Sequence, residues 1–284
     1  MIALCPAQIS RLSRSETADP AYPDAAFRLR SSANRRCRVK LCLGKLPARP
    51  PLGLKFADVF NAAALPTPPA TFGHQSLMAG GDWGILGNNS VGDCTICDAA
   101  HQHMLWTLEG GVPRARFETN NVLSDYFAIT GGPDVGCDLQ AVAAYRQKTG
   151  VIDATGVRHK IDAYTSLRVG DISQLAQATY IFGAVSVGVL LPSSAEAQFI
   201  AGEPWSLVAG DKSVGGHCIT SVGRDTNGNY LFISWGRLQA ATPEWVANSM
   251  DEAISPFSRE ILNAKGISPE NYDLAALQNF FGEI

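Results

Sequence analysis

Cys94, Cys97, His101, Met104 and Leu108 follow one another at intervals of three or four residues, which places them on one face of a helix. Ile96, Ala99, Ala100, His103 and Trp106-Thr107 widen that surface, so the pattern predicts a helix buried on most sides. Asp93 stands at its N-cap position and Gly110-Gly111 at its stop. Two further helices follow. Phe117–Ile129 ends at Gly131-Gly132-Pro133, and Asp138–Lys148 is capped by Asp138 and stopped by Gly150. The pattern then changes to short β-branched runs at Gly183–Leu191, Gly216–Gly223 and Asn229–Trp235. The last two are joined as a hairpin through Asp225-Thr226-Asn227-Gly228. Helices first and strands second predict an α+β fold with two lobes, not an alternating parallel sheet.

The flanks are simpler. Prolines at 47, 50, 51, 66, 68 and 69 forbid a continuous helix over residues 46–69 and predict an extended arm laid over the body. A short helix fits between them, within Leu54 to Ala64. The folded domain is expected to span residues 70–284. Near its end, Thr242-Pro243-Glu244 starts a helix with proline in the first turn, and an acidic helix follows over Asp273–Phe281. These elements, with Asp251-Glu252 and the basic loop Arg158-His159-Lys160, read as packing and solvated surface without chemistry.

Charge separates the N-terminal segment from the rest. Residues 1–50 carry ten Lys and Arg against three acids, a net +7, while the remaining 13 basic and 23 acidic residues give −10, together the −3 of the whole chain. Residues 1–45 lack an amphipathic period and are expected to be disordered, as a solvated tail, a removable targeting segment or a contact for nucleic acid or another acidic surface. Nucleic acid binding is not expected elsewhere. With 46% hydrophobic and 17% charged residues over 284 positions, the remainder is an ordinary globular sequence. No apolar run approaches the roughly 20 residues of a membrane span. No export signal is read, and seven irregularly spaced cysteines do not form a disulfide framework, so a reducing, cytoplasmic compartment is expected.

Candidate chemistry centres on Cys94. A thiol in the first turn of a helix lies near unpaired backbone N–H groups and the positive end of the helix dipole, which favour a thiolate. The alternatives are a small buried hydrophobe, a zinc ligand with Cys97 and His101, or half of a redox pair with Cys97. No second ligand pair lies downstream to close a zinc site, and the polar turn Gly81–Val91 stands where a redox motif would have a strand. Neither a metal nor a cofactor is expected. A nucleophilic cysteine needs a base from elsewhere in the chain. His217, at the start of a strand behind Gly215-Gly216, is the histidine so placed.

Taken in order, these residues resemble the papain-like cysteine peptidase superfamily. The resemblance runs through most of residues 83–245: Asn88 six residues before Cys94, Gly136-Cys137, Ala144-Tyr145, Gly150, Val185-Ser186-Val187, Gly216-His217-Cys218-Ile219, Val222-Gly223, Tyr230 and Ser234-Trp235-Gly236. Asn-x-x-x-Gly-Asp-Cys-Thr, Ser-Trp-Gly and Asp251-Glu252-Ala253 resemble papain-like proteins of bacteria and their phages. The resemblance implies a helical lobe whose central helix packs against an antiparallel β lobe. It also implies a peptidase or amidase working by acyl transfer, with Cys94 as nucleophile, His217 as base, and Asn88 or Asn89 in the oxyanion hole. Asn89, Asp93, Gly216 and Trp235 would line the substrate cleft, and the partner would be a peptide or amide substrate.

The departures from the family are specific. Its third catalytic residue, an asparagine, aligns with Ile233, which cannot hold an imidazole by a hydrogen bond. Thr95 replaces a tryptophan, Val91 stands where the partner cysteine of Cys137 belongs, and the glycine-rich cleft wall is reduced around Asp138-Leu139. Two other readings therefore accompany the hydrolase: a papain-fold binding or structural module, and an acyltransferase using the same Cys–His pair.

Overall fold

The computed structural model describes residues 40–51, 53–59 and 65–279. Its first elements are α1 (Phe56–Val59) and the short strand β1 (Phe72–Gly73). The helical part follows: α2 (Cys94–Glu109), α3 (Thr119–Thr130), α4 (Leu139–Lys148) and the small ribbon of β2 (Val151–Ile152) and β3 (Arg158–His159). The remainder is β4 (Ala163–Ser166), α5 (Ile172–Phe182), β5 (Val185–Pro192), α6 (Ala195–Ala201), β6 (Ser213–Arg224), β7 (Tyr230–Ser234), β8 (Arg237–Ala241), α7 (Pro243–Ser249), β9 (Met250–Phe257) and α8 (Leu274–Asn279). Residues 280–284, the end of the expected acidic helix, lie outside the described residues.

The main sheet is antiparallel, in the order β4-β9-β5-β6-β7-β8, with β1 added to β6. The three strands expected from β-branched runs are β5, β6 and β7. The β6–β7 turn is closed by Asp225, whose carboxylate accepts from the backbone N–H groups of Asn227 and Asn229. The expected α+β class is therefore the observed one.

Helix α2 lies between the two halves. All its residues but Leu108 are buried. One side packs with Tyr126, Val142 and Val151 of the helical part, and the other meets the sheet. Charged and polar groups are buried with it, and several are tied together by hydrogen bonds. The Asp98 carboxylate accepts from Gln102, Ser186 and Thr220, and the buried Arg146 donates to Gln102 Oε1 at 2.9 Å. These bonds tie α2 to α4, β5 and β6, and removing one partner would leave a buried group unpaired.

The N-terminal boundary differs from expectation. Residues 1–39 of the basic segment lie outside the described residues, but residues 40–45 are not a solvated tail: Cys42 and Lys45 are buried, and Leu41 and Leu43 pack on the core. The described residues from 40 onward belong to one compact unit. The arm after it is held by side-chain bonds that its prolines leave free to form. Arg49 pairs with Asp138, and Gln140 Nε2 donates to the carbonyls of Arg49 and Pro50.

Two surface assignments are also corrected. His159 is buried, with Nδ1 2.7 Å from Glu260 Oε1, and Arg158 pairs with Asp125. Asp251-Glu252 belong to β9, an interior strand of the sheet.

Candidate active site

Cys94 is the first residue of α2, as its spacing predicted, and is only 2% exposed. Asp93 occupies the N-cap position, but its side chain caps no backbone N–H. Its carboxyl is directed toward Gly87, where a Cβ would lie 2.6 Å from Oδ2. Burial lifts the Asp93 pKa to about 7. Asp93 is not among the residues that line the cavity of Cys94 and His217, so the substrate-contact role expected for it does not fit this geometry. Asn89 is exposed in the preceding loop, bonded only to its neighbour Ser90, and is not among the residues around Cys94.

His217 enters from β6. It shares with Cys94, Asn88, Ser234 and Trp235 the walls of a cavity of about 10 Å³, roughly the space of one water molecule. Its Nε2 lies 3.0 Å from Ser234 Oγ, and its buried Nδ1 has no hydrogen-bond partner among the described residues. A hydroxyl accepting from Nε2–H leaves Nδ1 as the ring's free lone pair. Ser234 therefore offers Nε2 a hydrogen-bond partner, which Ile233 cannot. Ile233 itself is 1% exposed and packs in the core with Leu231 and Val222. The serine was visible in the Ser-Trp-Gly motif, but alignment to a family asparagine drew attention to its neighbour.

The turn after Ser234 explains the placement. Trp235 (φ 45°) and Gly236 (φ 74°) form a two-residue connection between β7 and β8, with Ser234 paired to Arg237. Positive φ at both positions matches the right-handed twist of the strands. Tryptophan in this region is strained, at a cost of about 1–2 kcal/mol. The strain is offset by packing: the Trp235 ring stacks on His217 at 4.4 Å and 18° and meets Phe199 and Trp205 edge-on. Gly236 is required, since a Cβ there would lie 2.6 Å from the Gly84 backbone.

Asn88 is buried beside the cavity, and its Nδ2 donates one hydrogen bond, to Val91 O at 3.2 Å. A primary amide has a second N–H to give. Cys97 and His101, the other members of the considered zinc and redox sets, are bonded to the carbonyls of Ile85 and Gly84.

The N-terminal strap covers this site. Cys42 N–H donates to Asn88 O, Trp235 Nε1–H to Cys42 O, Cys137 N–H to Gly44 O, Lys45 N–H to Gly216 O and Leu46 N–H to Cys137 O. Glycines on both walls make room for it. A Cβ on Gly136 would come within 2.3 Å of Gly44 O, one on Gly216 within 2.3 Å of Lys45 O, and one on Gly44 itself within 1.8 Å of Gly92 O. Gly216 thus meets strap backbone.

Burial sets the electrostatics. It raises the Cys94 thiol pKa to about 12; the Asp93 charge adds to this, while the Cys218 and Gly44 backbone amides against the sulfur oppose it. Burial also lowers the His217 pKa to about 3. The helix dipole therefore does not produce a low-pKa thiol here, contrary to the expectation from position alone, because desolvation outweighs it. The covered pair is a neutral thiol beside a neutral imidazole.

No protein-family model matches the sequence, and no curated protein matches it. Solved structures do match the fold. Xylellain, a cysteine protease from Xylella fastidiosa, superimposes with a TM-score of 0.59 at 15% identity, over 77% of this chain and 97% of that one. Procathepsin B S9 from Trypanosoma congolense gives 0.56 at 12% identity, over 76% and 87%. A cysteine protease of Carica candamarcensis gives 0.51 at 15%, over 67% and 99%. Among the described residues, no helix is long and apolar enough to cross a membrane. The chain has the fold of the papain-like cysteine proteases.

Proposed function

We propose that the protein is a cysteine hydrolase acting on peptide or amide bonds, held in a resting form by its own strap. The observation that carries this reading is the arrangement of His217: Nε2 committed to Ser234 and Nδ1 free, in the same small cavity as a cysteine at a helix N-terminus.

Once the strap leaves, water and substrate reach the cleft. The Cys94 thiol gives its proton to His217 Nδ1, and the sulfur attacks the substrate carbonyl carbon. The resulting oxyanion accepts from the Cys94 backbone N–H and the Asn88 side-chain amide, each such donor contributing about 3–4 kcal/mol in the transition state. The C–N bond breaks as His217 returns its proton to the leaving amine. Water, deprotonated by His217, then cleaves the thioester and restores the thiol. Trp235 keeps the imidazole plane in place by stacking.

The test is turnover of a fluorogenic peptidyl-amide library by a full-length chain whose strap is dislodged by Gly44→Ala. Hydrolysis is expected, and each of Cys94→Ala and His217→Ala should abolish it. Turnover that survives Cys94→Ala would contradict the assignment, as would a fully alkylable Cys94 with no turnover.

A further inference from the structure

We propose that the slot now filled by Lys45 is the specificity pocket of the cleft, and that it takes a lysine or arginine side chain of the substrate beside the bond under attack. This rests on reading Cys94 as the nucleophile and names the substrate class of that site. Position is the first argument. Lys45 follows Gly44, whose backbone amide lies against the Cys94 sulfur. A side chain in the slot is therefore about one residue from the reacting atom.

Shape is the second argument. The slot exists because residue 188 is glycine: a Cβ there would lie 2.1 Å from Lys45 Cε and 2.8 Å from Glu252 Cγ. No other side chain could occupy this point of β5 with a long cation passing through.

Charge is the third. The Lys45 Nζ lies 2.9 Å from both Asp251 Oδ2 and Glu252 Oε1 and donates to Leu46 O at 2.9 Å. Its side chain is fully buried, and those of Asp251 and Glu252 are only 14% and 10% exposed. One ammonium faces two carboxylates, so the pocket keeps a negative excess even when filled. When the strap lifts, both carboxylates lose their cation. A neutral side chain entering it leaves them unpaired, and an acidic one is repelled, whereas a cation restores the pairing. Asp251 Oδ1 is buried with no hydrogen-bond partner among the described residues, a spare acceptor suited to the extra N–H groups of a guanidinium.

The strap and the substrate compete for one site, so the test begins by emptying it in the full-length chain. Lys45→Glu expels the strap by repulsion, and Lys45→Met provides a second, uncharged opening should the first destabilise the fold. Both carry Cys94→Ser for the binding measurement, and circular dichroism confirms folding. The probes are fluorescein-labelled hexapeptides Leu-Ser-Leu-Gly-X-Leu with X as lysine, arginine, norleucine or glutamate, read by anisotropy. The lysine and arginine peptides are expected to bind at least tenfold more tightly than norleucine, with glutamate weakest. Glu252→Gln should lower the lysine-to-norleucine ratio severalfold, and Asp251→Asn with Glu252→Gln should bring it close to one. Equal affinity for lysine and norleucine, or a ratio unmoved by Glu252→Gln, would overturn the proposal. Turnover by the same openings with Cys94 intact is read separately: basic peptides that bind but are never cleaved would sink the hydrolase reading and leave the pocket standing.

Discussion

Gly44→Ala gives a direct measure of whether the strap guards Cys94. The new Cβ would lie 1.8 Å from Gly92 O and 2.2 Å from Gly92 C, and both are backbone atoms that cannot swing aside. Relief needs a shift of more than about 1 Å, which breaks the neighbouring bonds of Gly44 and Lys45. The docking energy at stake can be worked out. Five hydrogen bonds hold the strap to the cleft. At about 1 kcal/mol each they contribute about 5 kcal/mol. Burying Cys42, and Leu41 and Leu43 in part, adds about 4 kcal/mol. Ordering six residues costs about 6 kcal/mol. The buried Lys45 pairs are taken as break-even, since desolvation offsets their attraction. About 3 kcal/mol remains, which keeps the site open roughly 1% of the time.

Iodoacetamide labelling at pH 7, mapped by mass spectrometry, reads that opening at Cys94, which is free and buried. Gly44→Ala should raise the Cys94 rate roughly 100-fold. Gly53→Ala, whose Cβ meets nothing nearer than 3.9 Å, is the matched substitution in the same segment and should do nothing. A folded Gly44→Ala protein that labels at the wild-type rate would refute the guarding role.

The remaining predictions concern the histidines. In the dislodged chain, Ser234→Ala removes the Nε2 partner of His217 and should lower kcat about tenfold with KM little changed, worth about 1 kcal/mol; an unchanged kcat would show that the serine does not hold the ring. Stability should also fall on acidification. His101 and His217 have pKa values lowered by burial to about 4 and about 3, so below the ordinary pKa the unfolded state binds more protons than the folded one. Their contribution is complete above about pH 6.5 and is lost as pH falls toward the folded values, about 3 kcal/mol each by pH 4. Urea unfolding between pH 7 and 4 measures this, and a flat profile would contradict neutral burial of the two rings.

The parts legible in the sequence were those whose burial pattern is local. Helix α2 and strands β5, β6 and β7 announce themselves because each repeats apolar residues at its own period. Strand β9 was hidden because Asp251, Glu252 and Pro256 break the alternation of Met250–Phe257. The acids are tolerated in an interior strand because Lys45, 206 residues away from Asp251, pairs with them. Pro256 lies opposite Tyr164 in the edge strand β4. The strap was hidden for the same reason: its basic, proline-flanked composition looks solvated until the acidic slot and the glycine-lined walls are placed around it. Ser234 was missed because its role depends on a backbone turn at Trp235, a residue whose positive φ no propensity would anticipate.

In the proposed enzyme the strap that hides the thiol also sets its reactivity, which couples access to activation. Desolvation is the largest cause of both the raised Cys94 pKa and the lowered His217 pKa. Each group is pushed toward its neutral form, so the proton stays on sulfur while the cleft is closed. Lifting the strap returns water to both groups at once and moves the two pKa values toward each other. The helix dipole, outweighed by burial in the closed form, then favours the thiolate. In the proposed enzyme the ion pair therefore forms when the cleft opens to a substrate. A reactive thiol is then not left exposed to oxidation in the resting state. The pH profile of Cys94 labelling distinguishes this from simple uncovering. Opening by Gly44→Ala should raise the rate and also shift its midpoint to lower pH, and His217→Ala in the same chain should return the midpoint toward that of an ordinary thiol. A change in rate with the midpoint fixed would mean that the strap blocks access without tuning the pair.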